Sequence, residues 1–190
     1  MNTTEPIRDK KQVHQLIYHY RKHGESRNYA MVALCVHTAL RISDILRIKC
    51  EQVYDFDKKR VRGDITVTEK KTGKTKTIAL NEETVRALEY YFPNAAPGAP
   101  LILNPKTGKA ISRIQAYRLI RAAAESIRMP QRVSCHTLRK TFGYHAWKNG
   151  VSPVIIMEIY NHSSLAVTKL YLGVTQDEKN SVYLGMAFTG

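Results

Sequence analysis

Five residues in this chain are of types that can attack a phosphodiester. Arg41 lies far upstream, and His136, Arg139, His162 and Tyr171 follow one another in the C-terminal part of the chain. Arginine binds phosphate oxygens through several N–H groups at once. Tyrosine can be a covalent nucleophile, and histidine can move its proton. These types suffice for cleaving a phosphodiester without a metal ion, provided that the fold brings them together.

The composition favours a polyanionic partner. The 190 residues include 30 Lys and Arg against 16 Asp and Glu, which gives a net charge of +14. Such an excess is typical of proteins that bind nucleic acid, although a merely basic protein would show the same excess. A hydrophobic content of 43% argues against disorder. The length suits one compact domain, so we expect a single domain over residues 1–190. Its partner is expected to be a polyanion, most simply nucleic acid.

Hydrophobic periodicity predicts a mainly helical α+β domain. Residues 61–68 and 75–80 alternate in polarity and are separated by a turn with Gly73, which predicts a β-hairpin with a basic tip as the one small sheet. Ser43 is predicted to cap a short helix. Apolar residues at helical spacing predict further helices at about 8–23, 29–38, 81–91, 112–126, 136–150, 153–160, 164–171 and 176–183.

Helical spacing also predicts neighbours for both arginines. His136 and Arg139 are three residues apart and would share a helix face, so both could reach one phosphate. Asp44 lies one turn after Arg41 and is predicted to brace its guanidinium. The alternative is that Asp44 only favours the helix N-terminus.

The joint spacing of these motifs closely resembles that of the tyrosine recombinase (phage integrase) family. That family has Thr-Gly-Leu-Arg-x-Ser-Glu, a hairpin lysine, His-x-x-Arg, Leu-Gly-His and Thr-x-x-Tyr in this order. The matching segments are TALRISD at 38–44, KKTG at 70–73, HTLR at 136–139, IYNH at 159–162 and TKLY at 168–171. Ala39 and Asn161 replace family glycines. Asn tolerates a left-handed backbone, whereas the loop before Arg41 is expected to differ if position 39 needs a positive φ.

The resemblance implies the family's catalytic-domain fold, which breaks and rejoins DNA. It implies that Arg41 and Arg139 hold the non-bridging oxygens of the scissile phosphate and stabilise the pentacoordinate transition state. It implies that Tyr171 attacks phosphorus and forms a 3′-phosphotyrosyl link.

The resemblance also assigns the proton transfers. Lys71 would protonate the departing 5′-oxygen, His136 would assist proton transfer from Tyr171, and His162 would hydrogen-bond a phosphate oxygen. The bond energy stays in the covalent link, so no metal, ATP or other cofactor is expected.

Basic residues outside this set are candidates for DNA contact. Lys70, Lys74 and Lys76 lie with Lys71 on or near the hairpin tip, and Lys71 is preferred as the catalytic lysine because it directly precedes Thr-Gly. The helix predicted at 112–126 has three arginines, Arg113, Arg118 and Arg121, and arginine commonly reads DNA grooves. A solvated basic face is the alternative for each of them.

Family members usually have an N-terminal core-binding domain, for which no room exists before Arg41. We expect that domain to be absent, whether the chain is a fragment or a natural short form. The apolar tail at 181–188 is expected to help assemble a tetramer on DNA, unless it packs on its own domain. No signal peptide or membrane span is recognisable, which predicts a cytoplasmic, nucleoid-associated protein of a bacterium, phage or mobile element.

The most direct interpretation is a site-specific recombinase. Two alternatives remain open at this point: a type IB topoisomerase-like enzyme, which relaxes supercoils with similar chemistry, and a non-catalytic DNA-binding regulator. A regulator would have no use for Tyr171, so replacing that residue distinguishes it from either enzyme.

Overall fold

The computed structural model describes residues 4–92 and 96–186, which contain ten helices and six short strands. The helices are α1 (Lys10–Lys22), α2 (Ser26–His37), α3 (Ile42–Ile45), α4 (Cys50–Val53), α5 (Glu82–Tyr91), α6 (Arg113–Ser126), α7 (Cys135–Lys148), α8 (Pro153–Tyr160), α9 (Leu165–Leu172) and α10 (Gln176–Gly185). The strands are β1 (Tyr54–Asp55), β2 (Arg60–Val61), β3 (Asp64–Thr68), β4 (Thr75–Ala79), β5 (Leu103–Asn104) and β6 (Lys109–Ala110). The predicted class, α+β and mainly α, is confirmed.

Helix α2 is the centre of the core. Its residues 28–36 are all buried, and it packs against α1, α5 and α7. Helix α1 buries the apolar side that its 3.6-residue periodicity predicted, which comprises Val13, Leu16, Ile17 and Tyr20. The chain segment before α1 also enters the core, since Ile7 is fully buried and its N–H donates to Thr141 Oγ1 at 2.9 Å.

The strands form three two-stranded antiparallel sheets, so the prediction of one sheet is wrong in number. The pair β3–β4 is the predicted hairpin, with Asp64 opposite Ala79 and Thr68 opposite Thr75. The pairs β1–β2 and β5–β6 have two residues in each strand. Alternation cannot appear in two residues, which is why these pairs escaped the prediction.

Side-chain caps define most helix starts as predicted. Asn81 accepts from Thr84 N at α5, and Ser112 accepts from Gln115 N at α6. The predicted cap at Ser43 is wrong, because α3 begins earlier. The Arg41 carbonyl accepts from Asp44 N, so Arg41 holds the N-cap position and Ser43 lies inside the helix.

Helix α10 exposes its apolar residues. Val182, Tyr183 and Leu184 are 63%, 79% and 84% exposed. The alternative that the tail packs on its own domain is therefore wrong for residues 181–186, whereas 187 and 188 lie outside the described residues. In 4–92 and 96–186, no helix combines the length and apolarity needed to cross a membrane.

Candidate active site

The start of α7 positions His136 and Arg139. Ser134 caps this helix by accepting from Thr137 N, so His136 lies in the first turn and Arg139 one turn later. Arg139 is only 2% exposed, yet it lines an open cleft together with His136. The other principal residues of this cleft are Arg41, Lys71, Arg113 and Tyr117.

Arg139 is held from behind by two carbonyl oxygens. Its Nη1 donates to the carbonyl oxygen of Ala39, and its Nη2 donates to that of Tyr160 at 3.0 Å. Ala39 has a φ of +55°, so this position does adopt the left-handed backbone that the family serves with glycine. The loop keeps this conformation despite the added methyl group, and its carbonyl reaches Arg139.

The connection between α8 and α9 positions His162 and Tyr171. Asn161 ends α8 with a φ of +52°, the left-handed conformation that Asn tolerates. Ser164 then caps α9 by accepting from Val167 N, and Tyr171 lies in the last turn of that helix. The Tyr171 ring contacts both histidines, with centroid distances of 5.0 Å to His136 and 4.5 Å to His162.

Arg41 is fixed by a buried carboxylate on the β3–β4 hairpin. Its Nη1 donates to Glu69 Oε2 at 2.8 Å. Glu69 is completely buried, and its second oxygen lies 3.0 Å from Lys76 Nζ. Lys76 in turn donates to the Ile159 carbonyl at 2.7 Å, near the end of α8. Glu69 therefore connects the first arginine and the hairpin with the helix that precedes His162.

The prediction that Asp44 braces Arg41 is wrong. Asp44 is buried, and its Oδ1 accepts from the backbone N–H of Lys70 at 3.0 Å, where the hairpin turn begins. Glu69 makes the contact with Arg41 instead. Asp44 acts on the site indirectly, because it fixes the turn that precedes Lys71.

Ionised groups determine the charge state of this network. Burial by itself raises the pKa of Glu69, but the contacts with Lys76 and then Arg41 outweigh it and lower that pKa to about 2. Burial lowers the pKa of Lys76 despite the attraction of Glu69. Glu69 is thus an anion at any ordinary pH and balances one of the two cations beside it.

Both site histidines favour the neutral ring. Burial lowers the pKa of His162 to about 4, and the charges of Arg139 and Arg41 add to this effect. Burial likewise lowers the pKa of His136, with Lys140 as the next cause. His162 Nδ1 lies 3.1 Å from Thr168 Oγ1, which orients the ring. A site with this much positive charge stabilises an incoming phosphate.

The predicted lysines lie on the exposed turn between β3 and β4. Lys71 lines the cleft, as its proposed contact with substrate requires. The side chains of Lys70 and Lys74 are exposed and are not among the cleft residues. Lys71 therefore shares the cleft with the two arginines, whereas Lys70 and Lys74 do not line it.

The three arginines of α6 have different surroundings. Arg113 lines the cleft, and Arg118 is exposed outside it. Arg121 is paired with Glu125 at 2.6 Å, and its Nη1 lies 3.4 Å from the Tyr117 hydroxyl. An arginine already bound within the protein has fewer N–H groups for DNA, so Arg113 is the strongest candidate of the three.

Sequence reasoning did not find Glu69 or Tyr160, and it placed Lys76 near the hairpin tip without predicting its contact with a buried carboxylate. A signal for Glu69 existed, since Ile65 and Val67 face inward on β3 and position 69 continues the same alternation. A carboxylate at an inward position requires a buried cation. Tyr160 lies where the family motif has leucine. Its contact with Arg139 joins residues that are 21 positions apart, so local spacing does not reveal it.

Comparisons with known proteins show the family and the fold of this chain. A model of the phage integrase family matches residues 8–178. The chain is 33% identical over 183 residues to the probable integrase/recombinase YoeC of Bacillus subtilis, covering 96% of this chain and 97% of YoeC. The crystal structure of XerA recombinase superposes with a TM-score of 0.79 at 22% identity, covering 99% of this chain and 68% of that one.

A post-cleavage complex of XerH site-specific recombinase with its difH substrate gives a TM-score of 0.76 at 15% identity, covering 92% of this chain and 51% of that one. The chain also spans about half the length of its XerC and XerD relatives, 51% in each of two cases. At these identities the two solved structures establish the shared fold. The family match and the similarity to YoeC establish descent, and the chain is a member of the phage integrase family of tyrosine recombinases.

Proposed function

We propose that this protein cleaves and rejoins DNA strands in site-specific recombination, with Tyr171 as the nucleophile. The observation that carries the proposal is the position of the Tyr171 ring, which contacts His136 and His162 next to a cleft lined by Arg41 and Arg139. A DNA-binding regulator would gain nothing from a tyrosine in this surrounding.

The proposed cleavage step balances as a transesterification. Tyr171 Oη attacks phosphorus, its proton passes to the neutral His136, and the bond to the 5′-oxygen breaks. Lys71 gives the leaving 5′-oxygen a proton, so a 5′-hydroxyl and a 3′-phosphotyrosyl link result. Arg41 and Arg139 neutralise the charge that develops on the non-bridging oxygens.

Rejoining is the reverse reaction. A 5′-hydroxyl from another strand gives its proton to Lys71 and attacks phosphorus, the bond to Tyr171 breaks, and the Tyr171 oxygen leaves with a proton returned by His136. The two ester bonds are similar in energy, so neither ATP nor another cofactor has to enter. His162 hydrogen-bonds a phosphate oxygen in both directions, and the phosphate charge opposes the cations that lower its pKa.

Double-stranded DNA is the proposed partner. A net charge of +14 supports it, as does the structural similarity to XerH bound to palindromic difH substrate. Lys70, Lys74 and Arg113 would contact the DNA around the cleft, with Arg118 and Arg121 further out along α6. We further propose that residues 1–190 work as one catalytic domain, in the nucleoid of a bacterium or on a mobile element.

Assembly on DNA is the second part of the proposal. The exposed side chains of Val182, Tyr183 and Leu184 form an apolar face on α10, which would dock on a second copy and build a tetramer. Deleting all residues after Lys179 tests this. We expect loss of synapsis with retained cleavage, and intact synapsis would contradict it.

A nicked suicide substrate tests the chemistry, because its cleaved end diffuses away and traps the covalent complex. Wild type, Tyr171→Phe and the cleft control Tyr117→Phe would be incubated with a pool of random nicked duplexes in EDTA. We expect a denaturation-resistant adduct from wild type and Tyr117→Phe and none from Tyr171→Phe. DNA binding without any adduct would overturn the proposal in favour of a binding protein. Relaxation of supercoiled plasmid without strand exchange would favour the topoisomerase reaction.

A further inference from the structure

We propose that Tyr160 is a positioning residue that holds Arg139 and His162 in place for the scissile phosphate; this rests on the proposed function above. The family motif has leucine at this position, directly before the glycine that Asn161 replaces. Tyr160 is fully buried at the end of α8 and is among the largest such side chains in the described residues. Its side chain has no contact with solvent. Leucine, the residue of the family motif, would be sufficient if the position only had to fill the core.

Tyr160 and Arg139 hold each other by three contacts. The Tyr160 hydroxyl donates to the Arg139 carbonyl at 2.5 Å, and Arg139 Nη2 donates to the Tyr160 carbonyl at 3.0 Å. The guanidinium carbon lies 4.6 Å from the centre of the Tyr160 ring, within the range of a cation–π interaction. Leucine could provide the carbonyl contact but neither the hydroxyl nor the π-face.

The same ring supports His162 and Tyr171. The His162 ring is stacked on it with a centroid distance of 4.9 Å and an interplanar angle of 21°. The Tyr171 ring is tilted against it at 5.1 Å. One rigid side chain therefore contacts a phosphate-binding arginine, a phosphate-binding histidine and the nucleophile, so a shift of its ring would move all three.

The support that Tyr160 gives is electrically neutral. Arg41 is held by the Glu69 carboxylate, which cancels much of its charge. The hydrogen-bond acceptors of Arg139 are the carbonyls of Ala39 and Tyr160, and its remaining support is an aromatic face. A cation that is fixed without a counter-ion keeps its full charge for a phosphate.

Gly143 makes room for the tyrosine. A Cβ atom at Gly143 would lie 2.5 Å from Tyr160 Oη and 2.8 Å from its Cε2, closer than real contacts allow. A glycine inside a helix such as α7 destabilises that helix relative to alanine. The chain therefore has a large residue and a small one that fit each other, and the pair offers a test that separates packing from positioning.

The experiment compares Tyr160→Phe, Tyr160→Leu and Tyr160→Leu combined with Gly143→Ala. We measure the rate of adduct formation at saturating protein, the Kd for intact duplex and the midpoint of thermal unfolding. Phe keeps the ring and should cleave within about threefold of wild type. Leu should slow adduct formation by roughly 100-fold, the effect of misplacing a site group by about 1 Å, with Kd changed less than threefold. The double variant should regain the unfolding midpoint but not the rate.

Two kinetic results would overturn the proposal: wild-type rates in Tyr160→Leu, or recovery of the rate together with stability in the double variant. The NMR signal of the Arg139 Nε–H gives a reading without any cleavage. We expect the aromatic ring to shift this signal in wild type and Tyr160→Phe. The shift should be absent in both Leu variants. If wild type formed no adduct, the proposed function would fail, and an unchanged Arg139 signal in the Leu variants would separately refute the positioning role.

Discussion

Replacing Glu69 by glutamine should destabilise the fold and slow cleavage. The substitution preserves the size of the side chain but removes the negative charge that lies 2.8 Å from Arg41 and 3.0 Å from Lys76. Both cations then remain at the site with no anion between them. Removing one partner of a buried ion pair leaves an uncompensated charge, which is strongly destabilising.

The pKa of Glu69 sets the magnitude. Folding lowers it from an ordinary 4.5 to about 2, which corresponds to on the order of 3 kcal/mol of stability. Because the folded-state pKa is depressed, this contribution is complete above about pH 4.5 and is lost as the pH falls towards 2. The glutamine variant lacks the contribution throughout, so the two stability curves should approach each other in acid.

Urea unfolding at a series of pH values measures both effects. We expect Glu69→Gln to lose about 3 kcal/mol at pH 7, whereas the control Glu125→Gln, which breaks the exposed pair with Arg121, should lose less than about 0.5 kcal/mol. Adding Lys76→Met should return part of the stability, because the unpaired ammonium is removed. Adduct formation should stay slow in that double variant, since Arg41 still lacks its partner.

A Glu69→Gln protein within about 0.5 kcal/mol of wild type at pH 7 would refute this reasoning. The reasoning would also be refuted if Glu69→Gln lost stability between pH 4.5 and 3 as steeply as wild type does. Either result would mean that Glu69 is not the charge that holds Arg41 and Lys76.

Three further predictions follow from local geometry. Asn161→Ala should lose about 1 kcal/mol and Asn161→Gly much less, because position 161 has a φ of +52°; urea unfolding decides, and equal losses would contradict the argument. Ser164→Ala and the remote cap variant Asn81→Ala should each lose about 1 kcal/mol, but only Ser164→Ala should speed amide exchange in α9 and slow the reaction of Tyr171. The His162 ring should titrate near pH 4 in NMR without DNA and at higher pH with duplex bound; a DNA-free midpoint near 6.5 would contradict the burial argument.

Local sequence rules predicted most of the helices and the β3–β4 hairpin. Caps such as Asn81 and Ser112 act over three residues, so the chain alone reveals them. These rules gave wrong results at the start of α3 and at the two-residue strands. Ser43 is a residue type that often caps helices, but the backbone is already extended at Arg41. Arg41 is therefore the N-cap of α3, two residues before Ser43. The two-residue strands gave no periodic signal at all.

The sequence predicted which residues belong to the candidate site, but not the contacts that hold them in place. Motif spacing singled out Arg41, His136, Arg139, His162 and Tyr171, whose types alone suggest phosphoryl transfer. The partner of Arg41 was predicted wrongly, because helical spacing suggested Asp44 one turn away. The true partner is Glu69, which is 28 residues distant in the chain.

The sequence by itself determined the net charge, the helical class, the family and the set of candidate reactive side chains. These depend on composition and on residues a few positions apart. The tertiary structure alone decided that Glu69 meets Arg41, and that Tyr160 meets Arg139, His162 and Gly143. Such contacts join different helices and strands, so no periodicity encodes them. They form because a buried charge needs a counter-charge and a buried ring needs space, and only the packed chain provides both.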